Sequence, residues 1–485
     1  VVMYTPVIHD GQLMAFFCVL MHWIDIGGMM IGSCSSTTAT EIFQEGLQLR
    51  TVKLFNEGRR NEDMLRVIRY NTRFPEMLMG DIEAQIGGCL LGKKMVQDIA
   101  VKYGADSYHA AVQLMWDQSD QSMRAILKSA PDGIYKASSF LDNDGIVDQP
   151  VPVKLAITVK GDEMHFDFTG TGPSTTGPMN MSRNTTLSSC YVAIKHIFPD
   201  VPVNGGTFRP ISFTLPERTL LSAQYPTACG GYLEPMGRAI DVTFGALAQA
   251  IPDKVPAAFF GTIGVVAISG THPRSKNYYV GVFPYPGGYG ASRASDGLIN
   301  GTPPQSMANF MSLEMSEHRF PVRFDHFSVR EDSGGAGWHR GGCGTSYGFT
   351  MWSDCVVTVL GDRADHAPFG VGGGGAAQAN VVEFVTDGNT WRPPFRSKED
   401  KRALKAGDQL RANSPGGGGY GPALERDLEA VERDLNGGYI SRETAERDYG
   451  VVIAQDRTLA TGTHRYTLDA TASVARRKSL AAGPK

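Results

Sequence analysis

The chain has 485 residues and a formal net charge of −4, with 42% hydrophobic and 20% charged residues. A chain of this size with so little net charge lacks the concentrated positive charge that nucleic acids and anionic membranes attract, so we expect neither as a partner. The most hydrophobic stretch, residues 13–30, contains a histidine, an aspartate and two glycines, which argues against a transmembrane helix or a signal peptide. The composition is typical of a soluble protein with several domains.

The first 55 residues predict mostly strands. Residues 1–7 are typical of a strand that leads into a turn at Asp10-Gly11, and a long apolar strand is predicted from Leu13 to Gly27-Gly28. A polar loop follows, and residues 50–55 again resemble a strand. Because the chain opens on a valine that already lies in a strand, we expect its true N-terminus to lie upstream.

Three helices are predicted next. Asn61 is a good helix cap, and the acidic residues after it favour a short helix over residues 61–70. Apolar residues recur near the helical period over residues 75–103, and Gly104 supplies the stop. Residues 107–128 predict the third helix.

From Gly133 the pattern changes to short strands separated by glycine and proline turns. Lys160-Gly-Asp162 between two alternating segments predicts a hairpin, and helices are predicted at residues 187–197 and 237–250. Two short charged helices are predicted in the tail, at residues 424–435 and 441–449.

These elements predict a multi-domain α+β protein in which a helical N-terminal region precedes a β-rich, glycine-rich core. We expect an N-terminal region over residues 1–132, a β-rich core over 133–395 and a C-terminal region with short helices over 396–485.

Glycine and cysteine usage adds two expectations. The chain has 57 glycines, many in tight clusters, which indicates numerous turns and close contacts between short strands. Its seven cysteines include no Cys-x-x-Cys pair, which favours buried free thiols in a reducing compartment, and so a cytoplasmic protein.

Three features that could indicate nucleotide binding or nucleophilic catalysis have a better structural interpretation. Gly87-Gly-Cys-Leu-Leu-Gly-Lys93 approaches a phosphate-binding loop, but it lies in a predicted helix and Lys94 stands where Ser or Thr is needed. Gly344-Thr-Ser-Tyr-Gly348 matches a nucleophile elbow, but a strand-like segment follows it, so a turn serine is the better interpretation. Cys229, in a polar and flexible setting, is more readily a structural thiol than a nucleophile.

His22 and Asp25 form the most informative pair, because burying either group without a partner is costly. Imidazole and carboxylate suit Zn²⁺, Mn²⁺ or Fe²⁺, and Glu41 and Glu45 in the next segment are candidate additional ligands. The alternative is a buried hydrogen bond between His22 and Asp25 without a metal. The residues alone favour that alternative.

A series of motifs, in order along nearly the whole chain, resembles the hydantoinase B/oxoprolinase family. The matching segments include His22-Trp-Ile-Asp-Ile-Gly-Gly28, Glu41-Ile-Phe-Gln-Glu-Gly-Leu47, Asn61-Glu-Asp63, Gly80-Asp-Ile-Glu-Ala-Gln85, Asp167-Phe-Thr-Gly-Thr171, Gly177-Pro-Met-Asn180, Asn204-Gly-Gly-Thr-Phe-Arg-Pro210, Asp332-Ser-Gly-Gly-Ala-Gly337, Gly361-Asp-Arg363 and Pro415-Gly-Gly-Gly-Gly-Tyr-Gly421.

The resemblance implies a B-type subunit that works with an A-type subunit, which binds ATP and Mg²⁺, in a hetero-oligomer acting on a small molecule. Members include ATP-dependent hydantoinase, oxoprolinase and caprolactamase, so we expect a cyclic-amide hydrolase subunit acting through a phosphorylated carbonyl. Two alternatives remain: a subunit of an acetone- or acetophenone-type carboxylase, and a non-catalytic scaffold subunit.

The resemblance also favours a divalent metal at His22 and Asp25, with Glu41 and Glu45 as further candidates. Two departures weaken this set. The family's upstream Asn-Asp-Pro-Tyr…Gly-Gly-Thr-His segment is absent here, and Trp23 replaces the second of two adjacent histidines. A metal at His22 therefore requires ligands from outside this chain, or from Glu41 or Glu45.

Overall fold

A computed structural model describes residues 1–30, 32, 36–306 and 308–482. Over these residues it contains both helices and strands in several sheets, so the predicted α+β class is confirmed. The helices are α1 (Glu62–Tyr70), α2 (Pro75–Tyr103), α3 (Ala105–Leu127), α4 (Arg183–Ile197), α5 (Leu233–Ala250), α6 (Leu313–Arg319), α7 (Leu428–Asn436), α8 (Arg442–Asp448) and α9 (Ala470–Ala481).

Within the described residues, the strands form three larger sheets and three two-stranded ones. They are β1 (Val2–His9), β2 (Gln12–Leu20), β3 (Phe55–Asn56), β4 (Arg59–Arg60), β5 (Gly133–Leu141), β6 (Val151–Lys160), β7 (Glu163–Asp167), β8 (Ile211–Thr214), β9 (Val265–Thr271), β10 (Tyr278–Pro284), β11 (Val322–Val329), β12 (Thr345–Met351), β13 (Cys355–Leu360), β14 (Val381–Thr386), β15 (Asn389–Trp391), β16 (Glu399–Leu404), β17 (Gln409–Asn413), β18 (Ile453–Thr458) and β19 (His464–Leu468).

The N-terminal hairpin β1–β2 packs on the long helix α2. Gly92 of α2 makes this contact possible, since a Cβ there would lie 2.2 Å from the ring of Phe17 on β2. The predicted strand from Leu13 to Gly27-Gly28 is too long, because β2 ends at Leu20. Residues 50–55 are also not a strand, apart from Phe55, which begins the two-residue β3.

The three predicted N-terminal helices are confirmed with small changes at their ends. The Asn61 side chain accepts a hydrogen bond from the Met64 amide at 3.1 Å, as expected of a cap. Helix α2 has the predicted bounds, and α3 begins at Ala105 and ends at Leu127. The rejected phosphate-loop motif lies inside α2, as expected.

The largest hydrophobic core lies between the sheet β5–β6–β7–β8 and the helices α4 and α5. The predicted hairpin is β6–β7, and β8 pairs with β7 in parallel. Helix α5 starts four residues before the predicted Gly237, and most of its residues are buried. Its burial on nearly all sides makes α5 the central element of this part of the fold.

Two antiparallel sheets, β10–β9–β13–β16 and β11–β12–β17–β14–β15, pack face to face around a second core. Strands β16 and β17 follow residue 395, yet they pair with β13 and with β12 and β14. Ser346 lies in β12, so it is a strand residue rather than the turn serine we expected, and a nucleophile elbow is absent at this serine.

Glycine clusters bring backbone segments together, as the sequence indicates, but these segments are irregular rather than strands. A Cβ at Gly417 would lie 1.9 Å from the Tyr289 oxygen, and one at Gly341 would lie 1.8 Å from the Gly417 oxygen. The amide of Gly417 donates to the Gly342 oxygen at 2.9 Å. Side chains are excluded here because backbone packs directly on backbone.

The C-terminal region contains the two predicted helices as α7 and α8, together with a hairpin β18–β19 and a final helix α9 that the sequence did not predict. Arg477 of α9 donates to the backbone oxygens of Tyr449 and Arg426 at 2.8 and 2.6 Å, which holds the helix against this region. Across the described residues, every helix is too short or too polar to cross a membrane.

Candidate functional site

Asp25 is completely buried and lies in an irregular segment after β2, not in a strand. Its two carboxylate oxygens accept hydrogen bonds from Arg73 Nη1 at 2.7 Å, the Arg73 amide at 2.8 Å and Thr72 Oγ1 at 3.2 Å. The amides of Gly27 and Gly32 also donate to it, each at 3.2 Å. Burial opposes ionisation, but the hydrogen bonds and charge of Arg73 lower the pKa of Asp25 overall.

His22 is exposed, and no hydrogen bond joins it to Asp25 in the described part of the chain. The hydrogen-bonded His22–Asp25 pair favoured by the residues alone is therefore wrong. The physical reason is that Arg73, in the segment just before α2, supplies the charge that a buried carboxylate needs.

The two candidate glutamates lie on a segment that docks against the loop before α5. Glu41 is exposed, and its backbone forms a bridge with Thr227. Glu45, at the end of a 3₁₀ helix over Ile42–Glu45, points its Oε1 atom at the amides of Cys229 and Gly230, at 2.6 and 2.5 Å. Burial raises the pKa of Glu45, although the two amides partly offset the effect.

Cys229 behaves as a structural thiol, as the sequence favoured. Burial, assisted by the negative charge of Glu45, raises the pKa of its thiol to about 12, which suppresses the nucleophilic thiolate. Its Sγ contacts the Thr227 oxygen at 3.6 Å. The described cysteines are free, and Cys18 is exposed, contrary to the expectation of burial, whereas Cys34 lies outside the described residues.

Five segments meet in a continuous chain of contacts that we call the loop junction: residues 36–45, 142–148, 177–180, 227–231 and 361–366. Starting from Glu45, the contacts pass to the 227–231 loop, whose Ala228 oxygen accepts from Asn180 Nδ2 at 3.0 Å. The Gly177 amide then donates to Asp144 Oδ2 at 2.9 Å. A Cβ at Gly145 would lie 2.3 Å from the Thr37 oxygen, which returns the contacts to the first segment. The junction thus connects the segment after His22 and Asp25 with the centre of the fold.

Beneath the junction lies a buried ionic cluster between α5 and the segment after β13. Asp241 and Arg238 of α5 form an ion pair at 3.3 Å, and Arg363 also pairs with Asp241. Arg238 Nη2 donates to the Gly261 oxygen. The pKa of Arg363 is lowered to about 10, first by burial and then by the positive charge of Arg238.

The cluster continues through three carboxylates and a lysine. Lys398 Nζ lies 3.1 Å from Asp362 Oδ1, and both side chains are buried. Asp362 Oδ1 also accepts from the Asp142 amide at 3.0 Å, while Thr262 Oγ1 donates to Glu234 Oε1 at 3.0 Å. Burial, followed by the negative charge of Asp362, raises the pKa of Glu234 to about 7.

Asp142 connects the cluster to the surface. Its Oδ1 lies 2.9 Å from His366 Nδ1 and also accepts from the Asp365 amide at 3.2 Å, while its Oδ2 accepts from the Ala364 amide at 2.6 Å. The His366 ring stacks on Phe140, with centroids 5.0 Å apart. A buried carboxylate that orients a partly exposed imidazole is the arrangement of a general base.

The described residues do not fit a divalent metal on their own. No three His, Cys, Asp or Glu side chains in that part of the chain form a group that could hold one. Asp25 is engaged by Arg73 and backbone amides, and Glu45 by the amides of Cys229 and Gly230. A metal at His22, Asp25, Glu41 and Glu45 stays a prediction that requires ligands beyond these.

The ionic cluster and the His366–Asp142 pair were missed at the sequence level. The available signal was Gly361-Asp-Arg363, which entered only as part of the family resemblance. Asp142 and His366 are separated by 224 positions, so spacing alone does not connect them.

Comparison with known proteins agrees with this architecture. Residues 1–423 match the hydantoinase B/oxoprolinase family, and the chain belongs to that family. It is 32% identical to the beta subunit of caprolactamase from Pseudomonas jessenii, covering 96% of this chain and 82% of the relative. It is also 30% identical to a putative D-/L-hydantoinase B-type subunit of Pseudomonas sp. strain NS671, covering 94% and 78% of the two chains.

A solved structure of a relative has the same fold. The crystal structure of ATP-dependent caprolactamase from Pseudomonas jessenii superposes with a TM-score of 0.87 at 29% identity, covering 98% of this chain and 82% of the other. The predicted family is therefore confirmed, and the relatives are subunits of multi-subunit enzymes.

Proposed function

We propose that this chain is the B-type subunit of an ATP-dependent cyclic-amide hydrolase, assembled with an A-type subunit in a cytoplasmic hetero-oligomer. The observation that carries the proposal is the similarity to caprolactamase over almost the whole chain, in sequence and in fold. The loop junction adds support, because side chains such as Glu45, Asp144 and Asn180 bind the backbone of distant loops there, and enzyme sites are often built on such loops.

The chemistry that such a complex must perform is the activation of a poor electrophile. An amide resists water because resonance stabilises its carbonyl and its nitrogen leaves poorly. Transfer of a phosphoryl group from ATP to the amide oxygen gives an imidate phosphate, which water attacks more readily. The A-type partner would bind ATP and Mg²⁺, and this chain would contribute residues that surround the activated carbonyl.

This mechanism does not depend on the predicted metal at His22 and Asp25. If His22 and Asp25 hold a divalent metal in the complex, His22→Ala should remove metal from the purified complex, because the variant lacks the imidazole ligand at this exposed position. Metal content measured by mass spectrometry tests this directly. Unchanged metal content and turnover in the variant would overturn it.

The experiment that tests the proposed function is co-purification with an A-type subunit, followed by ATPase and product assays. Hydantoin, 5-oxoproline, a lactam and a ketone are supplied in turn, with and without bicarbonate. Amide-dependent ATP hydrolysis with ring opening supports the proposal. Activity that requires a ketone and bicarbonate would replace it with a carboxylase subunit. Activity that survives complete substitution of the junction side chains would indicate a scaffold.

A further inference from the structure

The described residues include four pairs of a histidine nitrogen and an aspartate oxygen within 4 Å, and one of them differs from the rest. In the pair His366–Asp142 the aspartate side chain is only 1% exposed, whereas the carboxylates that face His9, His339 and His464 are 89%, 37% and 30% exposed. The His366 side chain is itself 33% exposed. Among these four pairs, only this one joins a buried carboxylate to an imidazole that solvent or a ligand can reach.

Asp142 is fixed in place from several directions. It follows directly after β5, and its amide donates to Asp362 Oδ1, which Lys398 holds from the other side. The amides of Ala364 and Asp365 approach its carboxylate from the loop that carries His366. The carboxylate therefore has one orientation, and it transmits that orientation to the imidazole.

The same contacts keep Asp142 ionised. Burial alone would raise the pKa of Asp142, but the hydrogen bond from His366 and the positive charge of Lys398 outweigh burial and lower the pKa. An ionised carboxylate at Oδ1 requires His366 to carry its proton on Nδ1. The lone pair then resides on Nε2, which has no hydrogen-bond partner among the described residues.

The dyad lies at one end of the loop junction. Asp142 begins the segment 142–148, and within it Gly145 touches Thr37, in the segment that follows the His22–Asp25 region. Phe140 stacks on one face of the His366 ring and restricts its rotation. The imidazole is thus held by a hydrogen bond on one nitrogen and by packing on one face, with the other nitrogen available.

We propose that His366 is the general base for water attack on the activated carbonyl, positioned by Asp142, a role that rests on the proposed function above. His366 Nε2 takes a proton from water as the water oxygen bonds to the carbonyl carbon of the imidate phosphate. The π electrons of the carbon–nitrogen double bond move to nitrogen, which receives that proton from Nε2. One water has then been added to the carbon, and His366 is back in its starting state. In the next step the hydroxyl oxygen of this adduct re-forms the carbonyl, and the ring carbon–nitrogen bond breaks with its electron pair on nitrogen. Nε2 passes the hydroxyl proton to that nitrogen, which gives an amine and an acyl phosphate, and a second water splits the acyl phosphate into carboxylate and inorganic phosphate.

Charged side chains surround His366 and determine the electrostatic environment of this proton transfer. They come from its own loop, from the segment after β5 and from the segment before β16, and they are Asp362, Arg363, Asp365, Asp142, Asp148, Arg396 and Lys398. Arg396 pairs with both Asp148 and Asp365, so this outer charge group is neutralised in part and leaves Asp142 as the carboxylate that faces the imidazole.

The test uses His366→Asn in the reconstituted complex. The shorter amide keeps a donor for Asp142 but lacks the basic nitrogen, so the fold should be preserved. We expect kcat for lactam or hydantoin hydrolysis to fall by about 100-fold or more, with KM changed by less than about threefold. His464→Asn, which alters the pair between His464 on β19 and Asp456 on β18, is the matched control and should retain wild-type kcat.

A second variant separates a chemical role from a structural one. His366→Gly leaves room for a soluble base, so added imidazole should restore turnover in a concentration-dependent way. Failure of imidazole to restore His366→Gly, or a kcat for His366→Asn within about threefold of wild type, would overturn the role of His366.

The two proposals fail in distinguishable ways. If the wild-type complex hydrolyses none of the amides, the proposed function fails and the variants are not needed. If the wild-type complex is active and His366→Asn is equally active, the function stands and the assignment of the base is wrong.

Discussion

Glu45 and Cys229 are 184 positions apart in the chain, yet Glu45 Oε1 accepts a hydrogen bond from the Cys229 amide at 2.6 Å. The same oxygen accepts from the next amide, that of Gly230. This contact fastens the segment that follows the His22–Asp25 region to the loop that leads into α5. The Glu45 carboxylate therefore binds backbone amides in this structure, whereas its sequence position suggested a metal ligand.

Glu45→Ala should loosen this junction. Two amides would lose their acceptor, and we expect the free energy of unfolding to fall by about 1–3 kcal/mol. Urea unfolding measures the effect, and limited proteolysis should show faster cleavage in residues 36–45. Glu45→Gln retains an acceptor oxygen and should lose less, while Glu41→Ala, at an exposed position, should change little. Equal stability of wild type and Glu45→Ala would show that the hydrogen bonds from the Cys229 and Gly230 amides to Glu45 do not stabilise the junction.

Loss of Arg73, the ionic partner of Asp25, should lower the free energy of unfolding, whereas loss of the His22 side chain should change it little. Arg73→Ala leaves the buried Asp25 carboxylate with amide and hydroxyl donors but without its counter-charge, so unfolding free energy should fall by at least about 2 kcal/mol. His22→Ala, at an exposed side chain, should stay within about 0.5 kcal/mol of wild type. Urea denaturation of both variants is the measurement. A large loss in His22→Ala would show that His22 has a structural partner.

Gly92 and Gly87 of α2 provide a matched pair for the hairpin contact. A methyl group at residue 92 would meet the Phe17 ring at 2.2 Å, so Gly92→Ala should push β1–β2 away and destabilise the protein by about 1–3 kcal/mol. A methyl group at residue 87 has open space, and Gly87→Ala should stabilise the helix by about 0.5–1 kcal/mol. Thermal unfolding distinguishes the two, and a stabilising Gly92→Ala would contradict the packing.

Helices α1, α2 and α3 were predictable because their signals are local, whereas α6 and α9 were not predicted. Asn61 caps α1 within three residues, and Gly104 ends α2 at the predicted position. The end of β2 was not predictable, because residues after Leu20 stay apolar for a different reason. Trp23, for example, is buried against the α1 and α2 core and donates from Nε1 to Gln85, so an apolar run here packs as an irregular segment.

The candidate site was only half predictable from the sequence. Asp25 was correctly expected to need a partner, but a partner at residue 73 cannot be deduced from spacing, because tertiary packing brings it there. The same holds for Asp142 and His366, which belong to loops after strands of two different sheets. The expected reaction could be inferred from the family resemblance, but the side-chain contacts of Asp25, Asp142 and His366 could be found only in the structure.

Because of Glu234, the free energy of unfolding should decrease as the pH rises toward neutral. Its pKa is about 7 in the folded protein and near the ordinary 4.5 in the unfolded chain. Between these values the folded protein holds a proton that the unfolded chain has released, so the contribution of Glu234 to the free energy of unfolding decreases as pH rises from 4.5 to 7. The decrease should be about 3 kcal/mol, because the two pKa values differ by about 2.5 and one pKa unit corresponds to about 1.36 kcal/mol.

Glu234→Gln removes this titration, because glutamine has no proton to release in that range. The difference between wild-type and variant unfolding free energies, measured in urea at pH 5 and at pH 8, should therefore shift in favour of the variant at the higher pH. Glu217→Gln, at an exposed glutamate, is the control and should leave the pH dependence of wild type unchanged. An identical pH dependence in Glu234→Gln and wild type would show that another member of the buried ionic cluster holds the proton. Asp362 would then be the next residue to substitute, because burial and the negative charge of Asp142 also raise its pKa.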